Sequence, residues 1–428
     1  MIDCKYIFLG IWLALLLPAC QSEEPTQKLV VTDMPKSDKR GVAFDFTIDS
    51  DLPLLSPFIS WDYNWANVPQ NDLAPIWFDA NEMEFCPMCW NNNYRADDIR
   101  TYVADHPSTQ YLLAYNEPNL KDQARMTPTQ AVEHWSEIVA LAKELNLKLV
   151  SPAMNYGTLE GYEDPIKWLD EFFAQPNVSM DDIDAISVHC YMPSASALLS
   201  YLERFEKYNK PIWLTEFCAW DNFTGDADAQ MSYMCTALNA LEKSDIVERY
   251  AWFIPRYKTD GTAPYMQLIS SYTNRLTDAG KVYCYFSSMD KNAYLLTNRF
   301  IHAGEYSDVS SIGTQVRPTT DEYATLQAGK EGLMVTSMMM NQTLTYHVSL
   351  PKEASQIVLR YASFTRCTVD FKVDGKLSGT MDIQRTGGLT VWDSAPCSIS
   401  IAAGTHEIEI ILTDGSMQFS GFEINYLE

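Results

Sequence analysis

The sequence predicts an α/β protein: a (β/α)8 TIM barrel followed by an all-β sandwich of jelly-roll type. Eight short apolar runs between Arg40 and Pro255 alternate with longer helical stretches. Eight such strands over about 250 residues match a barrel in number and size. No glycine-rich phosphate loop follows any run, which removes the usual nucleotide-binding form of the competing open sheet. After about Asp290 the texture changes to short alternating strands parted by glycine turns, the pattern of a sandwich. A chain of 428 residues, 46% hydrophobic, holds about two domains and is not disordered.

Charge bounds the partners. The chain carries 31 Lys+Arg against 56 Asp+Glu, a net of −25, with no basic block. A surface of that sign repels phosphate backbones, so no nucleic acid is expected as a partner. It does not repel neutral ligands, and 18 Phe, 11 Trp and 24 Tyr suit apolar sugar faces as well as large cores.

The N-terminus reads as an export signal. The apolar run Tyr6–Leu17 is too short to span a membrane but has the length of a signal-peptide core. Its end, Leu17-Pro18-Ala19-Cys20, resembles a bacterial lipobox, which makes residues 1–19 a lipoprotein signal and Cys20 the lipidated first mature residue. Several acyl chains would anchor it stably where one would not. The alternative is an ordinary secretion signal cut near Ala19. Residues 20–38 are polar and predict a flexible tether. The expected location is the bacterial cell envelope, at the outer membrane or cell surface, with the lipid as the only membrane contact.

Cys86-Pro-Met-Cys89 is the only CxxC. Zinc would need a second ligand pair, and redox work would want the motif opening a helix. Here it closes the apolar segment Met83–Met88, which predicts buried strand-end thiols.

The barrel domain is placed at 39–290. Its runs are Gly41–Phe46, Phe58–Trp61, Glu84–Cys89, Tyr111–Tyr115, Lys148–Ser151, Ile183–His189, Pro211–Thr215 and Arg249–Ile254, nearly continuous in aliphatic and aromatic residues as doubly buried strands should be. The clearest helix starts at Thr127-Pro-Thr-Gln130, a cap with Pro in the first turn and Gln at the capping-box position, and runs to Asn146. Further helices are predicted at Asp164–Ala174, Ala195–Tyr208, Ala227–Lys243 and Asp278–Phe286. The sandwich is placed at 296–428, with strands over Thr343–Leu350, Gln356–Ser363, Thr368–Val373, Ser398–Ile401 and Glu407–Leu412. Met338-Met339-Met340 is expected in its core.

Barrel enzymes carry their catalytic groups at the C-terminal ends of the strands. Run four is followed by Asn116-Glu117-Pro118-Asn119, and run seven by Glu216. Run six supplies His189 and Tyr191; run two leads into Asp62, Tyr63, Asn64 and Trp65. Singly these residues are unremarkable, since a Glu after a strand is often a cap, Asn-Glu-Pro a turn and a lone His a satisfied core residue. Two carboxylates at the tips of strands four and seven, however, face each other across a barrel mouth. Glycoside hydrolysis needs such a pair, roughly 5–5.5 Å apart when the configuration is retained. Trp61, Trp65, Trp90, Trp220 and Trp252 are candidates for stacking on sugar rings.

At these residues the chain resembles glycoside hydrolase family 128, retaining β-1,3-glucanases with a (β/α)8 barrel. The resemblance is carried, in order, by Lys39-Arg40-Gly41, Ser60-Trp61 with Tyr63-Asn64-Trp65, Pro87-Met88 before Trp90, and Asn116-Glu117-Pro118-Asn119. It continues through Ser151-Pro152-Ala153, His189-Cys190-Tyr191, Trp213–Phe217 and Ala251-Trp252-Phe253. It implies that Glu117 is the acid/base, Glu216 the nucleophile, and that Asn116 contacts the hydroxyl next to the reacting carbon. The C-terminal part resembles a family 6 carbohydrate-binding module at Ile357–Ser363, Val373-Asp374-Gly375, Trp392 and Ala403-Gly404-Thr405-His406. Trp392 is its candidate stacking platform. Such modules often hold a structural calcium through acidic residues, but here His302, Gly304, Gln418 and Ser420 occupy those positions, and no metal is expected.

The expectation is therefore a monomeric, lipid-anchored retaining hydrolase that cuts β-1,3-glucan, as polysaccharide or oligosaccharide, internally and without a cofactor. Two alternatives stand beside it. One is an exo-acting enzyme, or one for another β-glycan, on the same fold. The other is a non-catalytic surface glycan-binding lipoprotein, against which the presence of both glutamates argues.

Overall fold

The computed structural model describes residues 29–427 except 34, 221–224 and 258–262. The expected signal peptide, Cys20 and residues 21–28 lie outside the described residues.

The chain enters as β1 (Val30–Thr32) and then builds a mixed α/β unit on eight short strands: β2 (Arg40–Ala43), β3 (Trp61–Tyr63), β4 (Glu84–Phe85), β5 (Tyr111–Leu113), β6 (Lys148–Val150), β7 (Ile186–Cys190), β8 (Ile212–Phe217) and β9 (Val247–Trp252). One parallel sheet has the order β4-β3-β2-β9-β8-β7, and β5 pairs with β6. Parallel bridges Met88–Leu113 and Val150–Ala185 join the two groups, so the pairing runs round a closed circuit. Every residue of β2, β3, β5, β7 and β8 is buried, as strands covered on both faces require.

Inside the circuit pack Ala43, Trp61, Tyr63, Tyr111, Ala185, Trp213 and Ala251. The Arg249 guanidinium lies over the rings of Tyr111 and Trp213 (4.6 and 4.7 Å) and pairs with Glu84 at 2.7 Å. This arrangement corrects two sugar-stacking assignments. Trp61 is fully buried against Trp213, and its ring N–H donates to the Lys39 carbonyl at 3.0 Å. The strand begins at Trp61 rather than ending there, which puts this residue at the end of β3 away from the mouth. Trp252 alternates with inward-facing Ala251, so it faces the surrounding layer, against Phe217 and Tyr283, and donates to the Met266 carbonyl at 2.7 Å.

The Thr127 capping box forms with Gln130, but the long helix is two, Pro128–Val132 and Trp135–Glu144. Trp135 is buried against Tyr115 and Phe172.

The C-terminal unit is built of strands, with a short helix (Glu322–Ala328) between two of them: β10 (Ala293–Leu296), β11 (Ile301–His302), β12 (Asp308–Val309), β13 (Gln315–Pro318), β14 (Leu333–Met339), β15 (Thr343–Leu350), β16 (Ala354–Ala362), β17 (Cys367–Val373), β18 (Lys376–Ile383), β19 (Asp393–Ile401), β20 (Gly404–Asp414) and β21 (Ser416–Tyr426). Two sheets form, β1-β10-β15-β20-β17-β18 and β13-β14-β21-β16-β19. The buried residues of β15 alternate, and Tyr346 meets Phe422 of the other sheet edge to face at 5.0 Å. Met338 is buried here, whereas Met339 and Met340 are exposed at the turn before Thr343.

The tether expectation, 20–38, needs correction over its described residues. The β-branched run Val30–Thr32 pairs in parallel with β10, as the edge of the C-terminal sheet. The Asp33 carbonyl accepts from Lys330 at 2.8 Å. A few residues on, Lys36 donates to the Asn81 carbonyl (2.6 Å), and Ser37 to Glu242 (2.9 Å). Residues 29–33 and 35–39 are thus fixed, the first stretch to the C-terminal unit and the second to the α/β unit. The eight described cysteines are buried thiols, and burial pushes Cys86 and Cys89 up, away from reactivity.

Candidate active site

Glu117 and Glu216 reach one place from opposite sides of the circuit. Past β5 the chain stays in parallel register (Asn116 pairs with Ala153), and the Glu117 N–H donates to the Ala153 carbonyl at 3.0 Å. Glu117 has φ 43°, a left-handed conformation that a non-glycine residue keeps only when its surroundings hold it. Glu216 lies in β8, opposite His189 of β7, where the register of β7 against β8 shifts. Such irregularities re-aim side chains beside active sites.

His189 Nδ1 stands 2.8 Å from Glu117 Oε1 and 3.5 Å from Glu216 Oε2. Asn155 Nδ2 donates to Glu117 Oε1 at 3.0 Å. Glu216 Oε1 accepts from the Tyr63 hydroxyl (2.9 Å) and the Trp65 ring N–H (2.8 Å), and Oε2 accepts from the Tyr191 hydroxyl. One oxygen of each glutamate and one ring nitrogen of His189 all lie within 4.8 Å of one another. Both glutamates are buried, yet they line a cavity of about 590 Å³. Its aromatic wall is Trp65, Trp90, Tyr191, Trp220 and Phe253.

Burial pushes Glu117 up, but the charge of His189 and hydrogen bonds from His189 and Asn155 outweigh it and hold the carboxyl below its usual range. Burial raises Glu216; His189 offsets part of this, the Glu117 charge adds to it, and the net direction is up. His189 is lowered by burial and raised more by Glu216 and Glu117, so it too ends up high. The lowered Glu117 and the raised His189 describe one proton in one 2.8 Å hydrogen bond. Moving it to Glu117 makes that carboxyl a neutral acid and removes the charge that raises Glu216. Three donors then favour Glu216 as the carboxylate. A proton donor and a carboxylate this close can act on the two sides of one bond.

The structure brings together Asn116, Glu117, Trp65, Trp90, Tyr191, Glu216 and Trp220 at the cavity, with Tyr63 and His189 buried behind the two carboxylates. Trp61 and Trp252 lie elsewhere. Trp392 belongs to the C-terminal unit, half-buried, and its ring nitrogen has no protein partner among the described residues. Sequence reasoning missed Asn155, Gln123, Phe253 and Ile254. Asn155 follows Ser151-Pro152-Ala153 by two residues, and asking what comes after run five would have found it.

A metal does not suit either candidate place. His189 Nδ1 and three oxygens of the two glutamates already make protein hydrogen bonds. In the C-terminal unit a structural calcium does not fit. The Glu305 carboxylate is paired with Arg299 (2.6 Å) and Lys330 (3.4 Å), and His302 packs in the space that a side chain on Gly332 would need. The cations that neutralise Glu305 are side chains.

Paired carboxylates in an aromatic-walled cavity at the strand ends define a glycoside hydrolase. Residues 41–283 match the glycosyl hydrolase catalytic core, and the chain belongs to that family. Residues 303–428 match the family 6 carbohydrate-binding module. Among solved structures, the chain is similar to a family 128, subgroup II endo-β-1,3-glucanase of Pseudomonas viridiflava, with 38% identity, 58% of this chain and 98% of that chain covered, and a TM-score of 0.54. It is also similar to a subgroup II endo-β-1,3-glucanase of Sorangium cellulosum, with 31% identity, coverage of 57% and 97%, and a TM-score of 0.51. A curated relative, alkali-sensitive linkage protein 1 of Schizosaccharomyces pombe, is 27% identical over 260 residues, 58% of this chain. The chain spans 44% of that relative's length.

Proposed function

We propose that this hydrolase cleaves β-1,3-glucan internally with retention of configuration, on a (β/α)8 barrel whose circuit of eight parallel strands places the site. The observation that carries the proposal is the approach of Glu117 and Glu216, one oxygen of each lying within 4.8 Å of the other, a spacing that favours a retaining over an inverting pair. The substrate and internal cleavage are supported by the two subgroup II relatives, both endo-β-1,3-glucanases.

Glu117, neutral once it takes the His189 proton, protonates the leaving oxygen while Glu216 attacks the anomeric carbon. Glu117 then removes a proton from the water that releases the sugar. Trp65, Trp90 and Trp220 offer apolar faces to the rings, and Asn116 holds the hydroxyl beside the reacting carbon. The C-terminal module retains polymer, with Trp392 as its platform. The enzyme works as a monomer, exported and anchored to the envelope through lipid on Cys20; the lipobox-like sequence supports this placement.

Products released from a laminarin-type glucan test the reading. Oligosaccharides of several lengths, first formed as β-anomers by NMR, are expected. Glucose alone would mean end-trimming, and first-formed α-anomers would mean inversion. Glu216→Gln should remove nearly all turnover. Glu117→Gln should lose roughly 10²–10⁴-fold on glucan and far less on an aryl glycoside whose leaving group needs no proton. Equal losses of the two variants on the aryl substrate would contradict the roles.

A further inference from the structure

Glu117 Oε1 accepts from Asn155 Nδ2 at 3.0 Å and lies 2.8 Å from His189 Nδ1, while Oε2 makes no hydrogen bond among the described residues. These two contacts are therefore what hold the carboxyl, and they differ in kind. His189 also stands 3.5 Å from Glu216, and its bond to Glu117 changes character with the shared proton. The Asn155 amide does not titrate. Its orientation is fixed at both ends, because the Tyr156 backbone N–H, which can only donate, bonds to Asn155 Oδ1 at 2.8 Å. A reversed amide would set N–H₂ against that N–H and an oxygen against the carboxylate.

The loop after β5 seats this donor. Buried Asn119, two residues past Glu117, donates through Nδ2 to the carbonyls of Asn155 (2.7 Å) and Tyr162 (3.3 Å). Its own carbonyl accepts from the N–H groups of Thr158 (3.1 Å) and Leu159 (2.9 Å). Gly157 permits the approach, since a Cβ there would strike the Tyr162 carbonyl and Asn119. The loop that carries Glu117 thus places the residue that binds Glu117. We infer that Asn155 is a positioning residue for the acid, acting through Glu117 alone: it fixes the carboxyl that meets the leaving oxygen, whatever the protonation of His189. The inference rests on the glycosidase reading, with Glu117 as the acid, but not on which glucan is cut.

Two aryl β-laminaribiosides test it: the phenyl compound, whose leaving group needs a proton, and the 2,4-dinitrophenyl compound, whose leaving group needs none. The readout is kcat/KM, which reports the step that releases the aryl group. In Asn155→Ala it should fall roughly ten- to a hundredfold on the phenyl substrate, the size of one hydrogen bond to a charged group. On the dinitrophenyl substrate it should fall less than about twofold, because no acid is needed there. Turnover of that substrate also shows that the variant is folded, and Asn155→Leu, nearer in size, is the second variant. In a Glu117→Gln background the same change should cost less than about twofold on the phenyl substrate, since no acid is left to position. Equal losses on the two substrates, or phenyl losses that multiply with those of Glu117→Gln, would show a structural or sugar-binding role and overturn the inference. If Glu117→Gln itself loses equally on both substrates, the assignment of the acid fails and the inference falls with it. If the wild-type chain cleaves another aryl β-glycoside and no laminaribioside, only the substrate proposal fails. The same cycle on that glycoside then decides the role of Asn155.

Discussion

His189 governs both carboxylates although it touches no solvent. Its positive charge lowers Glu117 and Glu216 together, and removing it leaves burial and repulsion opposed only by the hydrogen bonds from Asn155 to Glu117 and from Tyr191 and Trp65 to Glu216. Activity needs Glu216 ionised, so the acid limb of the kcat/KM profile follows Glu216, already raised by burial and by Glu117. In His189→Gln that limb should move to higher pH, because the imidazolium that offset the rise is gone. The alkaline limb should move down, since loss of the shared proton no longer follows an imidazole raised by two carboxylates. A pH profile on an aryl glycoside checks this; an acid limb that stays put would mean that His189 is neutral in the working enzyme. At this scale the sequence revealed Glu117 and Glu216 as neighbours across the strand ends, because both follow apolar runs with a recognisable local pattern. It hid the parity of Trp61 and Trp252. In a strand apolar on both faces, nothing in the pattern says which tryptophan points inward.

Between strand and helix, Arg40 is the knot that closes the far end of the mixed α/β unit. From β2 its guanidinium donates to the Tyr250 hydroxyl (3.0 Å), Glu242 (2.6 Å) and the carbonyls of Tyr283 (3.1 Å), Phe286 (2.8 Å) and Ser287 (2.7 Å). It is almost wholly buried, and so is Glu242. Breaking a buried pair by removing one partner costs about 3–5 kcal/mol. Arg40→Met should lower the urea midpoint accordingly, whereas Arg40→Met with Glu242→Gln should recover part of the loss, since no buried charge is then stranded. No recovery would mean that the carbonyl bonds, not the ion pair, carry the effect. Element boundaries followed the same visibility rule as residues. The apolar runs located β2 and β5–β9 to within a few residues, because they are buried on both faces. β18 escaped notice because most of its residues are exposed, and β21 because Gly421 interrupts its pattern. That glycine has φ 144° and sits where a Cβ would strike the Ile301 carbonyl, so β11 can approach only there.

The two units join through a buried polar seam, which bears on whether the hydrolase unit stands alone. Asn239, on the helix Ala227–Lys243, is fully buried. It donates to the carbonyls of Ile312 (3.0 Å) and Thr314 (2.9 Å) and accepts from the Tyr306 hydroxyl (2.8 Å). Arg317 crosses the same seam to Asp228 (2.7 Å) and Ser232 (2.7 Å). On another side, β1 lies on the module sheet and Ser37 donates to Glu242. A fragment of residues 39–290 therefore loses every partner of Asn239 and exposes the apolar side chains packed beneath it. Each stranded buried group costs about 1–3 kcal/mol, a large share of a domain's net stability. The fragment should melt well below the full chain and tend to aggregate. Its chemistry is a separate matter, because among the described residues that line the catalytic cavity none comes from the module. Counted per folded molecule, cleavage of short oligosaccharides should stay near the full-chain rate. Calorimetry of the full chain should show one joint transition, and Asn239→Ala should split it or broaden it. A fragment as stable as the full chain would show that the seam adds little. A stable fragment inactive on short oligosaccharides would show instead that the module completes the site.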